Sequence, residues 1–206
     1  MPAPKPKSDG RELRTLTEGL ELRFAQSDDE ERVAEGYAAV FGIESDIGGY
    51  FTEVIAPGAF AKSLDERDCL AVHSHDLGRV VGRKNAGTLE LEEDGKGLHF
   101  RNDLPDTSDG RDLAVQIDRG DIAGMSFAFR AVHDEWDETV DPPKRTIHEA
   151  ILYEITYTPM PQYPDTEVGM RSLEHARQEK RTHNRSAAMA RIAMRQAQAE
   201  RKPRSR

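Results

Sequence analysis

The sequence predicts a mainly β domain with flanking helices, an α+β class. Three observations carry that expectation. Between residues 20 and 158 apolar residues recur in short runs, several with period 2, bounded by glycine, proline or acidic turns, as in strands that bury one face. Only two stretches in that span, 59–65 and 107–120, read as helices. With 36% apolar and 33% charged residues, the 206-residue chain is too polar to pack entirely around one core, so its ends are expected to be solvated.

Residues 1–19 carry proline at positions 2, 4 and 6 and no periodicity; they are expected to be a disordered leader. At Leu20 the pattern changes, with Leu20, Leu22 and Phe24 alternating against Glu21, Arg23 and Ala25 as a first strand. Val33 to Phe41 stops at Gly42 and reads as a second strand, and Tyr50 to Ile55 ends at Pro57-Gly58 as a third. Ala59 to Asp65 is one short helix. Leu70 to Val72 runs as a brief strand into His73-Ser-His75-Asp76, followed by Val80-Val-Gly82. The runs 89–91 and 98–100 flank Asp94-Gly95-Lys-Gly97, a hairpin signal because glycine tolerates positive φ in the turn. Thr107 or Ser108 caps a helix with Leu113, Ala114 and Ile117 as its apolar stripe and Gly120 just beyond its end. Ile122 to Val132 and Thr146 to Thr158 are long strands separated by an acidic exposed loop over 134–144 that contains Pro142-Pro143. Residues 172–202 are rich in strong helix formers, but their apolar positions are mostly alanine, so a helix there has little to bury by itself. No internal repeat is present. The expected organisation is a leader over 1–19, a domain over 20–171 and a basic helical or disordered tail over 172–206.

Cys69 is the single cysteine, which excludes an intramolecular disulfide, and no apolar run approaches the roughly 20 residues that span a bilayer. Charge without an apolar stretch at the start does not make a secretory signal. A reducing, cytoplasmic setting is expected, with no membrane partner. The net charge of -9 hides a division. Residues 171–206 hold 11 Lys or Arg against 3 Asp or Glu, and the rest holds 18 against 35. The basic tail reads either as an interaction segment or as a solvated one.

The chemistry-bearing candidates lie on three separate stretches. A hydroxyl becomes a useful nucleophile only when a base within hydrogen-bond reach takes its proton and a third group holds that base. In Gly124-Met-Ser126-Phe-Ala-Phe129, alternation puts Met125, Phe127 and Phe129 on one face and Ser126, Ala128 and Arg130 on the other. Ser126 then either faces a cleft or is simply tolerated in a strand. The His73-Ser-His75 pair, read as strand, shares one face and suits either a metal or a general base; no further Cys, His or Asp set has metal-ligand spacing. Glu154, between Tyr153 and Ile155, needs a cationic or donor partner if buried. A histidinium, Arg130 or Arg145 would serve.

The order of motifs then resembles a known family. Glu35-Gly-Tyr-Ala-Ala-Val-Phe41, Glu53-Val-Ile-Ala-Pro-Gly-Ala-Phe60 with Ser63-Leu64, His75-Asp76 with Val81-Gly-Arg83, Asp94-Gly95 with Gly97-Leu98, Met125-Ser-Phe127, Leu152-Tyr-Glu-Ile-Thr156 and Pro159 to Pro161 are similar to the tailed-bacteriophage prohead proteases. The resemblance spans about residues 20 to 171. It implies a small closed or partly open β-barrel like that of herpesvirus assembly proteases, and a serine endopeptidase with His75 as base and Ser126 as nucleophile. The third member it implies is Glu154, with His148 and Glu149 as substitutes. It further implies no cofactor or metal, and action inside the assembling prohead in the host cytoplasm. The expected partners are the major capsid protein or scaffold as substrate, other copies of the chain, and no nucleic acid; self-cleavage of the tail is included. Two departures stand out: Thr156, where relatives often carry serine, and Pro161-Gln-Tyr-Pro164, where alanine and asparagine are usual. The competing expectation is a non-catalytic assembly protein with a protease-like domain.

Overall fold

Two long antiparallel strands near the end of the domain, each over ten residues, organise everything else. The computed structural model describes residues 10–16, 22–26 and 32–159, together with ten positions between 174 and 194. In chain order the elements are β1 (Glu12–Leu16), β2 (Leu22–Gln26), β3 (Arg32–Val40), β4 (Ser45–Ile47), β5 (Phe51–Ile55) and α1 (Ala61–Glu66). They continue with β6 (Leu70–His73), β7 (Asp76–Arg83), β8 (Leu89–Glu93), β9 (Gly97–Asp103), α2 (Ser108–Asp118), β10 (Gly124–Asp137) and β11 (Lys144–Thr158).

β11 pairs with β10 along one side, and its other side is shared by two strands. Parallel β5 covers residues 144–147 and parallel β6 covers 154–157. The stretch between them would leave backbone donors unpaired in the interior. The Pro57-Gly-Ala-Phe60 segment and α1 supply the partners: Ala150 N donates to Ala59 O at 2.8 Å and Leu152 N to the Ser63 hydroxyl at 3.0 Å. This gives the motif around residue 60 a structural reason.

The first sheet runs β1-β10-β11-β5-β4, with β6 and β7 attached through β11, and a second runs β2-β3-β9-β8. The two sheets are not closed into the barrel implied by the resemblance: among the described residues no strand pairing joins them. Side chains join them instead. Ala34, Ala38, Leu98 and Phe100 meet Met125, Phe127, Phe129, Ile155 and Tyr157 in one apolar core, with Leu113, Ala114 and Ile117 of α2. The Phe100 and Tyr157 rings meet edge to face at 5.8 Å.

The structure corrects the expected leader over residues 12–16, which form β1 against β10. Among its described side chains the buried ones are Glu12 and Arg14, whose burial rests on ion pairs rather than on an apolar periodicity. The 134–144 loop is also shorter than expected, because β10 runs on to Asp137 and β11 begins at Lys144. Leu20, Pro161 to Pro164 and most of 172–206 lie outside the described residues. In the unit from Glu167 to Arg206 the described positions are helical and exposed.

Candidate active site

His75 sits in a two-residue turn. β6 and β7 are joined by Ser74 and His75 alone, both with positive φ, at 53° and 58°. Two consecutive left-handed residues match the right-handed twist of a tight hairpin, though glycine or asparagine usually takes these places. Non-glycine residues persist there only where their surroundings hold them. Here Ser74 N donates to Tyr157 O at 3.0 Å, and His75 N donates to the Thr156 hydroxyl at 2.9 Å. That hydroxyl in turn donates to Val72 O at 3.0 Å. The turn is thus fixed to β11 by the residue that departs from the family pattern.

The strand reading of His73-Ser-His75 is accordingly corrected, since the chain reverses between the two imidazoles. His73 ends β6, where its Nδ1 accepts from Arg79 at 2.6 Å and its Nε2 lies 3.1 Å from the Gln116 side-chain oxygen. Burial, and then the adjacent Arg79 cation, push its pKa below the usual histidine value. All four ring nitrogens of the pair are engaged by protein groups, those of His73 by Arg79 and Gln116 and those of His75 by Glu154 and Ser126.

The His75 ring spans the remaining distance. Its Nδ1 lies 2.7 Å from Glu154 Oε1, and its Nε2 lies 3.0 Å from Ser126 Oγ. A carboxylate only accepts, so Nδ1 carries the proton and the Nε2 lone pair faces the hydroxyl. Glu154 is buried, and in the parallel β6–β11 register it lies opposite Leu70, two residues before Thr156. On β10, Ser126 lies opposite Thr156. One stretch of β11 therefore presents the carboxylate and also anchors the turn that carries the imidazole. The alternatives for the third position lie elsewhere: His148 Nε2 is 3.5 Å from Glu135, and Glu149 pairs with Lys62 at 3.1 Å.

Ser126 is 1% exposed, and its hydroxyl also lies 2.7 Å from the carbonyl oxygen of Arg14 in β1. Sequence reading assigned Arg14 no role. Beside it lies a buried ion cluster. Arg14 grips Glu53 with two bonds, Nε to Oε1 at 2.6 Å and Nη2 to Oε2 at 2.9 Å. Arg145 bonds Glu53 at 2.9 Å, Glu12 at 2.7 and 3.0 Å and Asp134 at 2.7 Å. Burial alone would raise the Glu53 pKa, but the two guanidinium groups outweigh it and hold it below the ordinary carboxylate value. Cys69, by contrast, is pushed up to about 12 by burial, so its thiol is inert at neutral pH.

Hydroxyl, imidazole and carboxylate thus lie in series on a β scaffold. The model of the caudovirus prohead serine proteases matches residues 18–180. The chain belongs to that family. The prohead protease of Enterobacteria phage HK97 is 33% identical over 138 residues, 65% of this chain and 56% of that protein, so the chain spans just over half the length of this relative. The solved capsid assembly protease of bacteriophage T4 aligns with 71% of this chain and 98% of its own, at 10% identity and a TM-score of 0.42. The family reached through the motifs is the one whose model matches.

Proposed function

We propose that the chain is a serine endopeptidase of phage capsid maturation. The observation that carries this reading is the continuous relay from Ser126 Oγ through His75 to Glu154, at 3.0 and 2.7 Å. In the proposed reaction His75 Nε2 takes the hydroxyl proton as Ser126 attacks a peptide carbonyl, and Glu154 holds the ring and balances the imidazolium that forms. The same proton then passes to the leaving amine, and water releases the acyl-enzyme. No cofactor is needed. The substrates are scaffold or the scaffolding segment of the capsid protein, met inside the prohead in the host cytoplasm. Self-association and removal of the 172–206 tail by self-cleavage belong to the same reading.

Incubating the purified chain with its capsid precursor and reading the products by mass spectrometry tests it. Wild type should cut, while Ser126→Ala and His75→Ala should leave the precursor whole. Normal cutting by both variants would end the assignment. One observation favours a second reading, an assembly protein without catalytic demand: at 1% exposure, Ser126 Oγ is closed to a peptide in this arrangement. If Ser126→Ala changes nothing in processing yet the chain still enters proheads, that reading stands.

A further inference from the structure

The group that closes Ser126 is the chain's own β1, and several of its properties are those of an exchangeable strand. Among the described residues β1 is the outer strand of its sheet and pairs only with β10, antiparallel from Glu12 opposite Phe129 to Leu16 opposite Met125. An extended peptide that brings its backbone to Ser126 by strand addition needs the same edge. Of the β1 side chains that are described, Glu12 to Thr15, none belongs to the apolar core. The strand is held by its ladder and by Glu12 and Arg14, which carry opposite charges. Its departure would leave Arg145 with Glu53 and Asp134, so the buried cluster loses one cation and one anion together and keeps its net charge. Few buried ion pairs can lose a member so cheaply, since an uncompensated buried charge is strongly destabilising.

The contact at the hydroxyl points the same way. The Ser126 hydroxyl has one proton and two acceptors within reach, Arg14 O at 2.7 Å and His75 Nε2 at 3.0 Å. While β1 stays, the nearer acceptor competes with the base.

Building on the peptidase reading, we propose that β1 is a resident occupant of the substrate position, and that Glu53 is the specificity-determining group of that position, selecting an extended peptide with a basic side chain where Arg14 now lies. Glu53 is 3% exposed and keeps both oxygens on Arg14, one of them shared with Arg145. A planar guanidinium fills this site with two bonds, and an ammonium fills it with fewer. A neutral side chain would leave Glu53 Oε1 without the bond that Arg14 supplies.

Two measurements on the full chain test the proposal. The first follows binding of a fluorescent peptide with the sequence of residues 10–17 to chains carrying Ser126→Ala, which cannot turn it over. Arg14→Ala should loosen the resident strand and tighten peptide binding about tenfold. Replacing by alanine the peptide arginine that corresponds to Arg14, and not the one that corresponds to Arg11, should remove that gain, and so should adding Glu53→Gln. The second follows fluorophosphonate labelling of Ser126 in otherwise wild-type chains, expected to be about tenfold faster with Arg14→Ala. If Arg14→Ala does not fold, a protease site engineered between Thr17 and Leu20 lets the segment that carries β1 be cut from the folded chain and diluted away before the same measurements. Peptide that binds no better once β1 is weakened or removed, with labelling unchanged, overturns the proposal and leaves the peptidase intact. Peptide binding as expected, with no labelling of any chain, sustains the strand exchange and overturns the peptidase.

Discussion

The Thr156 hydroxyl accepts the backbone N–H of His75 at 2.9 Å and donates to Val72 O at 3.0 Å, joining the turn that carries the imidazole to the strand that carries Glu154. Serine can make both bonds and valine neither. Thr156→Ser should therefore keep peptide cleavage within a fewfold of wild type. Thr156→Val frees a turn already in the left-handed region, and a displacement of the ring by about 1 Å costs on the order of 100-fold in rate. Turnover of a capsid-precursor peptide, with far-UV circular dichroism as a check on folding, separates the two; equal activity of both variants would remove the anchoring role.

Glu154 acts on the ring through the tautomer it selects. In Glu154→Gln the amide can present its N–H to Nδ1, turning the Nε2 proton toward Ser126 and leaving no lone pair there to accept one. The geometry survives while the base does not. Single-turnover cleavage should fall by about 10⁴-fold, the size seen when the orienting carboxylate of a serine protease becomes an amide, with the thermal midpoint moving little. A loss of only severalfold would place the orienting group elsewhere.

Gly82 lies within the Val81-Gly-Arg83 motif, on β7. A Cβ at this position would lie 1.9 Å from the Asn102 side-chain oxygen. Asn102 is fully buried, donates to the Tyr157 hydroxyl at 3.0 Å, and so cannot swing away cheaply. Gly82→Ala is expected to cost about 1–3 kcal/mol through overpacking, read as a lower urea midpoint. Asn102→Ala should relieve the clash, and non-additivity of the double variant would show that the two positions meet.

The sequence was most informative where burial is apolar. The runs ending in β3, β5, β8, β9 and β11, and the α2 stripe of Leu113, Ala114 and Ile117, lie within a few residues of their expected bounds because side chains facing one core repeat with the period of the backbone. β1 escaped because its buried residues are charged. The bend at Ser74 and His75 escaped because neither is glycine or asparagine, and alternation then reads through a turn as though it were strand. The barrel expectation came from family resemblance, which carries no register. Of the candidate site, motif order pointed to Ser126, His75 and Glu154, and these three side chains lie within hydrogen-bond distance of one another in series. What could not be read was the occupant of the site: a carbonyl oxygen belongs to every residue, and nothing in Arg14 marks its carbonyl as the one that meets Ser126.

His73 ends β6, beside the two-residue turn that carries His75. Its Nδ1 accepts from Arg79, which itself bonds Asp109 at 2.8 Å near the start of α2, and Gln116 of the same helix holds Nε2. Protonating this ring would remove the acceptor that faces Arg79 and set two cations together beside a buried strand end. Burial, and then this Arg79 cation, hold its pKa lower in the folded chain than the ordinary 6.5. The unfolded chain then binds the proton first, so the fold gains stability from neutral His73 above pH 6.5 and loses it as the pH falls from there through the folded-state value. Urea midpoints measured between pH 7.5 and 5 should decline more steeply for wild type than for His73→Gln, which keeps polar atoms at the site but cannot titrate. Parallel slopes for the two proteins would show that the ring protonates as freely in the fold as outside it, and that Arg79 does not contact it in solution.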